Sequence, residues 1–329
     1  MKTSFAKVAG GLALLAVSSV AMASVVDTKH NLGASNQATS NHTTGTSEIC
    51  IFCHTPHGGD STTFAPIWNR GVGTATYTRF SSLGRLTFDA KEAPIGSVSA
   101  ACLSCHDGTQ AIDAVINAPG SDSNPIGPGN GSGTNGWSQG QRMGDGTFAP
   151  ADGPWSGSGT PRGDMVFLGT DLTNDHPISM QYGGGGINDL APVHTTLDPD
   201  FAQPNAAAGA PGGLYDSLGN IVGLAGAAAS HAGAGNTTGA VNGSGTGSIQ
   251  NSGAGATRRW WVDTGGPGVY TSTDFPLYTR TDVTGSVAGT IEPTVECGTC
   301  HDPHSGNSTF LRLVGGNRGS QVCLTCHAK

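Results

Sequence analysis

Two five-residue stretches near the C-terminus, Cys297-Gly298-Thr299-Cys300-His301 and Cys323-Leu324-Thr325-Cys326-His327, decide how the rest of the chain is read. Further back the pattern recurs as Cys102-Leu103-Ser104-Cys105-His106 and as Cys50-Ile51-Phe52-Cys53-His54. The four copies use all eight cysteines of the chain. Each is C-x-x-C-H, the attachment signature of a c-type haem. The two thiols add to the vinyl groups of a porphyrin as thioethers, and the histidine lies beneath the iron as proximal ligand. Positions i, i+3 and i+4 share one face of a helical turn, so a short helix presents all three groups to one ring.

Other readings of the cysteines explain less. An exported chain with an even cysteine count would ordinarily be a disulfide framework. Two C-x-x-C pairs could hold zinc, but the four trailing histidines would then have no role. A thioredoxin-like site needs a βαβ setting, and none of the four copies has one. Four covalently attached haem c groups are therefore expected. Cys50, Cys53, Cys102, Cys105, Cys297, Cys300, Cys323 and Cys326 carry the thioethers, and His54, His106, His301 and His327 are the proximal ligands.

Composition agrees with a cofactor-built interior. In 329 residues, Leu, Ile, Val and Phe together make up about 18%, charged residues 12%, and glycines number 53. Such a chain buries little apolar side chain of its own, while glycine raises the entropic cost of ordering the backbone. Flat porphyrin faces would supply the missing surface, and a chain made without haem is expected to be unfolded.

The first 23 residues read as a secretion signal: Lys2 and Lys7, an apolar run from Val8 to Val20, then Ala21-Met22-Ala23. The run is too short, and too interrupted by Gly10, Gly11, Ser18 and Ser19, for a membrane anchor. Losing Lys2 and Lys7 takes the formal charge from −8 to −10. With Arg258-Arg259 as the only basic doublet, nucleic acid is excluded as a partner.

A haem iron with one histidine needs a second axial ligand. Of 11 histidines, seven lie outside the motifs: His30, His42, His57, His176, His194, His231 and His304. Every iron can thus be closed by two imidazoles. Met143, Met165 and Met180 keep one methionine-ligated iron open as an alternative. His57 and His304 each follow a proximal histidine by three residues, so they cannot round their own ring and are placed to reach a neighbouring haem. His30, near the new amino terminus, and His176, before Pro177, are the other distal candidates. His42, His194 and His231 sit in low-complexity surroundings and read as solvated.

Several blocks carry a likeness: Lys29 to Leu32, Cys50 to His57, Ala65 to Asn69, Cys102 to Thr109, Leu168 to Asp171 leading to Asp175-His176-Pro177, Cys297 to His304, Phe310 to Arg312, and Cys323 to His327. Together they resemble the secreted multihaem cytochromes c, most closely the tetrahaem outer-surface cytochromes that polymerise into extracellular nanowires. The resemblance covers 29–110, 165–182 and 295–329. It implies bis-histidine ligation, a chain of stacked haems, little regular secondary structure and electron transport outside the cell. It also implies that one distal histidine crosses a subunit interface. His30, His57, His176 and His304 match the family's histidine positions, and His30 on the N-terminal arm is the expected crossing ligand.

The fold expected is mostly irregular coil with short haem-binding helices and a few short β-hairpins, its core built from four stacked c-type haems. Residues 24–48 form an N-terminal arm, and 49–329 form the haem domain with a Gly/Ala-rich insertion at about 183–290. Trp137 and Trp155, in a Gly-, Ser- and Pro-rich stretch from 117 to 164, read as ring-packing residues. Arg259-Trp260-Trp261-Val262 and the run through Tyr278-Thr279, separated by Gly265-Gly266-Pro267-Gly268, give a hairpin signal. The expected function is non-enzymatic electron transfer to redox partners or extracellular acceptors, by a homo-oligomeric filament or, alternatively, a monomeric periplasmic shuttle. A multihaem reductase is the rival class. It would need an exchangeable iron position and proton-delivering side chains nearby, and no motif contains a lysine.

Overall fold

A computed structural model describes residues 25–35, 46–85, 88–110, 112, 114–118, 167–190, 196–198, 200–203, 248–264, 270–286 and 289–327. The signal segment, His42, His194, His231, Trp137, Trp155, Met143, Met165 and the glycines between the hairpin strands lie outside the described residues.

The largest regular element is a five-stranded antiparallel sheet of β1 (Met180–Gln181), β2 (Ser248–Ser252), β3 (Arg259–Asp263), β4 (Phe275–Arg280) and β5 (Glu292–Val295), in the order β1-β5-β4-β3-β2. Side chains alternate along a strand, so Trp260 with Val262 and Phe275 with Leu277 each point to one side. The register places Trp260 opposite Leu277, and aligns Ile249, Val262 and Phe275 in a row across three strands. Met180, Tyr182, Ile187, Ala202 and Val295 complete this interior.

Two prolines sit inside central strands, where a missing N–H would normally break a ladder. The ladder is staggered around them. β4 pairs with β3 through Phe275–Leu277 and with β5 through Tyr278–Arg280, so Pro276 faces only one neighbour. Pro293 pairs with Thr279 and lies beyond the β1 ladder, which takes Thr294 and Val295.

This sheet is more than the short hairpins expected. The hairpin strands are present as β3 and β4, with β2 and β5 flanking them, and β2, β3 and β4 lie within the span 183–290.

Three helices accompany the sheet: α1 (Ser97–His106), α2 (Cys297–Cys300) and α3 (Gln321–Cys326). α2 packs on β4 and against α1. Between them lies Glu296, 1% exposed, whose carboxylate accepts hydrogen bonds from Ser99 Oγ of α1 (2.5 Å), Ser179 Oγ (2.9 Å) and the Arg280 guanidinium (3.1 Å). Ser99 Oγ in turn accepts the Cys297 N–H at 3.0 Å. A buried carboxylate needs such partners to offset its lost hydration. Here they fix α1 to α2. Among the described residues no helix is long and apolar enough to cross a membrane.

Candidate haem centres

Each C-x-x-C-H forms one helical turn. Three lie in α1, α2 and α3; the first lies in a 3-10 turn, Cys50–Phe52. The histidine N–H closes the turn on the carbonyl of the first cysteine: His54 to Cys50 at 2.7 Å, His301 to Cys297 at 3.1 Å and His327 to Cys323 at 2.9 Å. This is the α-helical i to i−4 bond, and it brings both thiols and the imidazole to one side. The chain leaves the helix at once, since His301 and His327 are extended (φ −108° and −92°). His106 alone remains inside its helix.

None of the eight cysteines is in a disulfide. Successive motifs adjoin: Cys53 lies near Cys105, the Cys102 and Cys297 thiols are hydrogen-bonded, and Cys300 lies near Cys323. Burial pushes the Cys53 and Cys300 thiols up to about 12. Among the described residues no cluster of three or more His, Cys, Asp or Glu could hold a bare metal ion.

The histidines are arranged in facing pairs. His54 faces His304 with ring centroids 6.0 Å apart and planes 23° apart. His30 faces His106 at 6.3 Å, and His176 faces His327 at 6.5 Å. Metal–imidazole bonds are about 2.0–2.1 Å, so two imidazoles on opposite sides of one metal atom have centroids roughly 6.4 Å apart. The three pairs fit that spacing. The planes of the His30–His106 and His176–His327 pairs lie 64° and 68° apart.

Ring orientation is fixed from behind. Nδ1 of His54 lies 2.8 Å from the Pro66 carbonyl, that of His301 2.9 Å from Thr309, that of His176 2.9 Å from Pro177 and that of His30 3.3 Å from Pro303. A carbonyl only accepts, so each Nδ1 carries the proton and each Nε2 keeps its lone pair for a metal. Burial lowers the pKa of His30 to about 4, which keeps this ring neutral.

The local sequence explains these placements. Asn31, fully buried, donates to the Val26 carbonyl and accepts the Gly33 N–H, folding the arm so that His30 points inward. Phe310 stacks on His30 at 4.0 Å. Phe201 packs on His327 at 4.5 Å. Asn69 donates to the carbonyls of Ile51 and Asn117, tying the first motif to the loop after the second. Arg70, fully buried, donates to the carbonyls of Ser104 and Ile112 and to Ser104 Oγ, gripping the C-terminal end of α1 just before His106.

His30 lies opposite His106 of its own chain, held by Asn31, Phe310 and the Pro303 carbonyl. His57 is exposed, and among the described residues it pairs with no ring. His304 lies opposite His54 of the first motif. Among the described residues no second imidazole faces His301. Sequence reading missed Asn69, Arg70, Glu296 and the carbonyl partners. An Asn-Arg doublet shortly after a motif was a usable signal; backbone carbonyls leave none.

Residues 293–329 match the protein family described as the doubled CXXCH motif. The match spans the third and fourth attachment motifs and supports a multihaem c-type cytochrome, with haem c bound covalently, that takes part in electron transfer. No curated protein matches the chain.

Proposed function

We propose that this chain is an exported electron carrier with four haem c groups, each iron closed by two histidines, and that copies join through their haem sites into an extracellular filament. The observation that carries the reading is the set of three imidazole pairs at 6.0, 6.3 and 6.5 Å, each pair with a ring tied to a backbone carbonyl. Bound there, haem supplies a one-electron couple with no coordination position left for substrate. The chain's part is to hold both imidazoles still. The Pro66, Pro303 and Pro177 carbonyls fix ring rotation and tautomer, so loading or unloading an electron requires little rearrangement. Haems bound at the adjoining cysteines would lie side by side in motif order, the arrangement a conduit requires. Proteins with such attachment motifs are generally exported, consistent with the N-terminal signal.

The filament reading is supported by the exposure of His57, three residues after His54, and by the His301 ring, whose Nδ1 is tied to the Thr309 carbonyl and whose Nε2 is left for a metal. A head-to-tail contact that brings His57 of one copy to the His301 site of the next would close one iron per interface, and such contacts propagate when the rotation does not close a ring.

Holo-protein from its native host is expected to contain four haems by pyridine haemochrome assay, all low-spin, and to form filaments in negative-stain images. His57→Ala is expected to keep four haems and yield monomers with one iron that binds carbon monoxide when reduced. Uniform wild-type monomers with every iron bis-imidazole would refute the filament, and normal filaments from the variant would refute His57 as the bridge.

A further inference from the structure

The second-sphere partners of the histidines are not alike. Four rings present Nδ1 to neutral backbone carbonyls: His30, His54, His176 and His301. His304 instead presents Nδ1 to a carboxylate, Asp302 Oδ1 at 3.5 Å. Asp302 is held in place on three counts. Its Oδ1 accepts the His304 backbone N–H at 2.9 Å, its own N–H donates to the Phe310 carbonyl at 2.8 Å, and its Oδ2 lies 3.9 Å from Arg312 Nη1. Arg312 also donates to the carbonyls of Gly298 at 2.9 Å and Ser272 at 3.1 Å, which fixes the guanidinium beside Asp302. The matching tail of the first motif has Thr55 where the third has Asp302, and the Thr55 hydroxyl donates to the His57 carbonyl at 3.1 Å instead of facing the ring.

From this geometry we infer that Asp302 is a positioning residue that lowers the reduction potential of the site between His54 and His304. The inference rests on the proposed bis-histidine ligation of that site. A carboxylate behind a ligating imidazole raises its basicity and places a negative charge on the side of the oxidised metal. Reduction there adds one electron and breaks no bond, so the equilibrium responds directly to that charge. The three-residue stretch Asp302-Pro303-His304 would then tune the potential at one known position of the conduit, between the first and third motifs.

The test is a spectroelectrochemical titration of the holo-protein with an inert electrode mediator set. Asp302→Asn is expected to raise the reduction equilibrium constant of one haem about tenfold, equal to about 59 mV for one electron, and to broaden the g-spread of one low-spin ferric signal. Asp302→Glu, which keeps the charge, should stay within about threefold of wild type on the same Coulomb argument. Superimposable titrations of wild type and Asp302→Asn would overturn the inference. Should Asp302→Asn lose a haem, Asp302→Thr, which puts at this position the residue found after His54, decides: a titration unchanged from wild type overturns the inference. A wild-type spectrum without bis-imidazole low-spin iron would instead refute the ligation beneath it.

Discussion

The sheet side of the molecule and the segment around the first motif are built on different terms. Behind the third motif, β3, β4 and β5 bury Trp260, Phe275 and Val262 to 1% exposure or less, against Tyr182 and Ile249. Around the first motif, Phe64 and Ile67 are 62% and 54% exposed, on either side of the residues whose carbonyl holds His54. That segment is held by polar knots: Asn69 on two carbonyls, Asp60 accepting from Thr62 and Thr63, and the Cys53 carbonyl on the Asn69 N–H. One side makes its own apolar interior, while the other leaves apolar side chains outward where a porphyrin face would cover them. Burying side chains against a cofactor stabilises only the loaded protein.

The strongest way to break this contrast is to withhold the cofactor. In a chain whose eight cysteines are replaced by alanine, amide exchange is expected to lose protection across residues 46–85 while β3, β4 and β5 keep part of theirs. Equal collapse on both sides would restore the simpler view, suggested by composition, that the haems are the whole core. Next in size, Trp260→Ala in the holo-protein should cost about 3–5 kcal/mol in chemical denaturation. The same truncation at Phe64 should be several-fold more damaging in the holo-protein than in the cysteine-free chain, and an identical cost in both would show that Phe64 never meets a ring. Smallest is Gly298→Ala. A methyl there would press into the buried phenol of Tyr278, and overpacking of this kind costs about 1–3 kcal/mol. The midpoint of the denaturation curve reads it, and Tyr278→Phe should partly relieve it.

Much of the site was legible because covalent chemistry demands fixed spacing. Two thioethers and a proximal ligand require C-x-x-C-H whatever surrounds it, so eight cysteines and four histidines could be read without any structure. His304 was legible for a related reason: three residues after His301 it cannot turn back on its own ring. The partner of His30 was not legible. Its position near the amino terminus is compatible with reaching outward, and only the fold of the arm through Asn31, with Phe310 beneath the ring, turns it onto His106. The sheet was half legible. The hairpin signal gave β3 and β4, but β1 has two residues and β2 follows a long Gly/Ala-rich run, so neither has a periodicity strong enough to recognise.

What the chain's letters settled alone was the chemistry, since bond formation depends on which atoms lie within five consecutive residues. Which imidazole meets which, and which of them has a carboxylate behind it, depends on segments up to 273 residues apart, as between His30 and Pro303. Such encounters are made by packing and by hydrogen bonds to backbone carbonyls. Every residue type carries that carbonyl, and no sequence can advertise it.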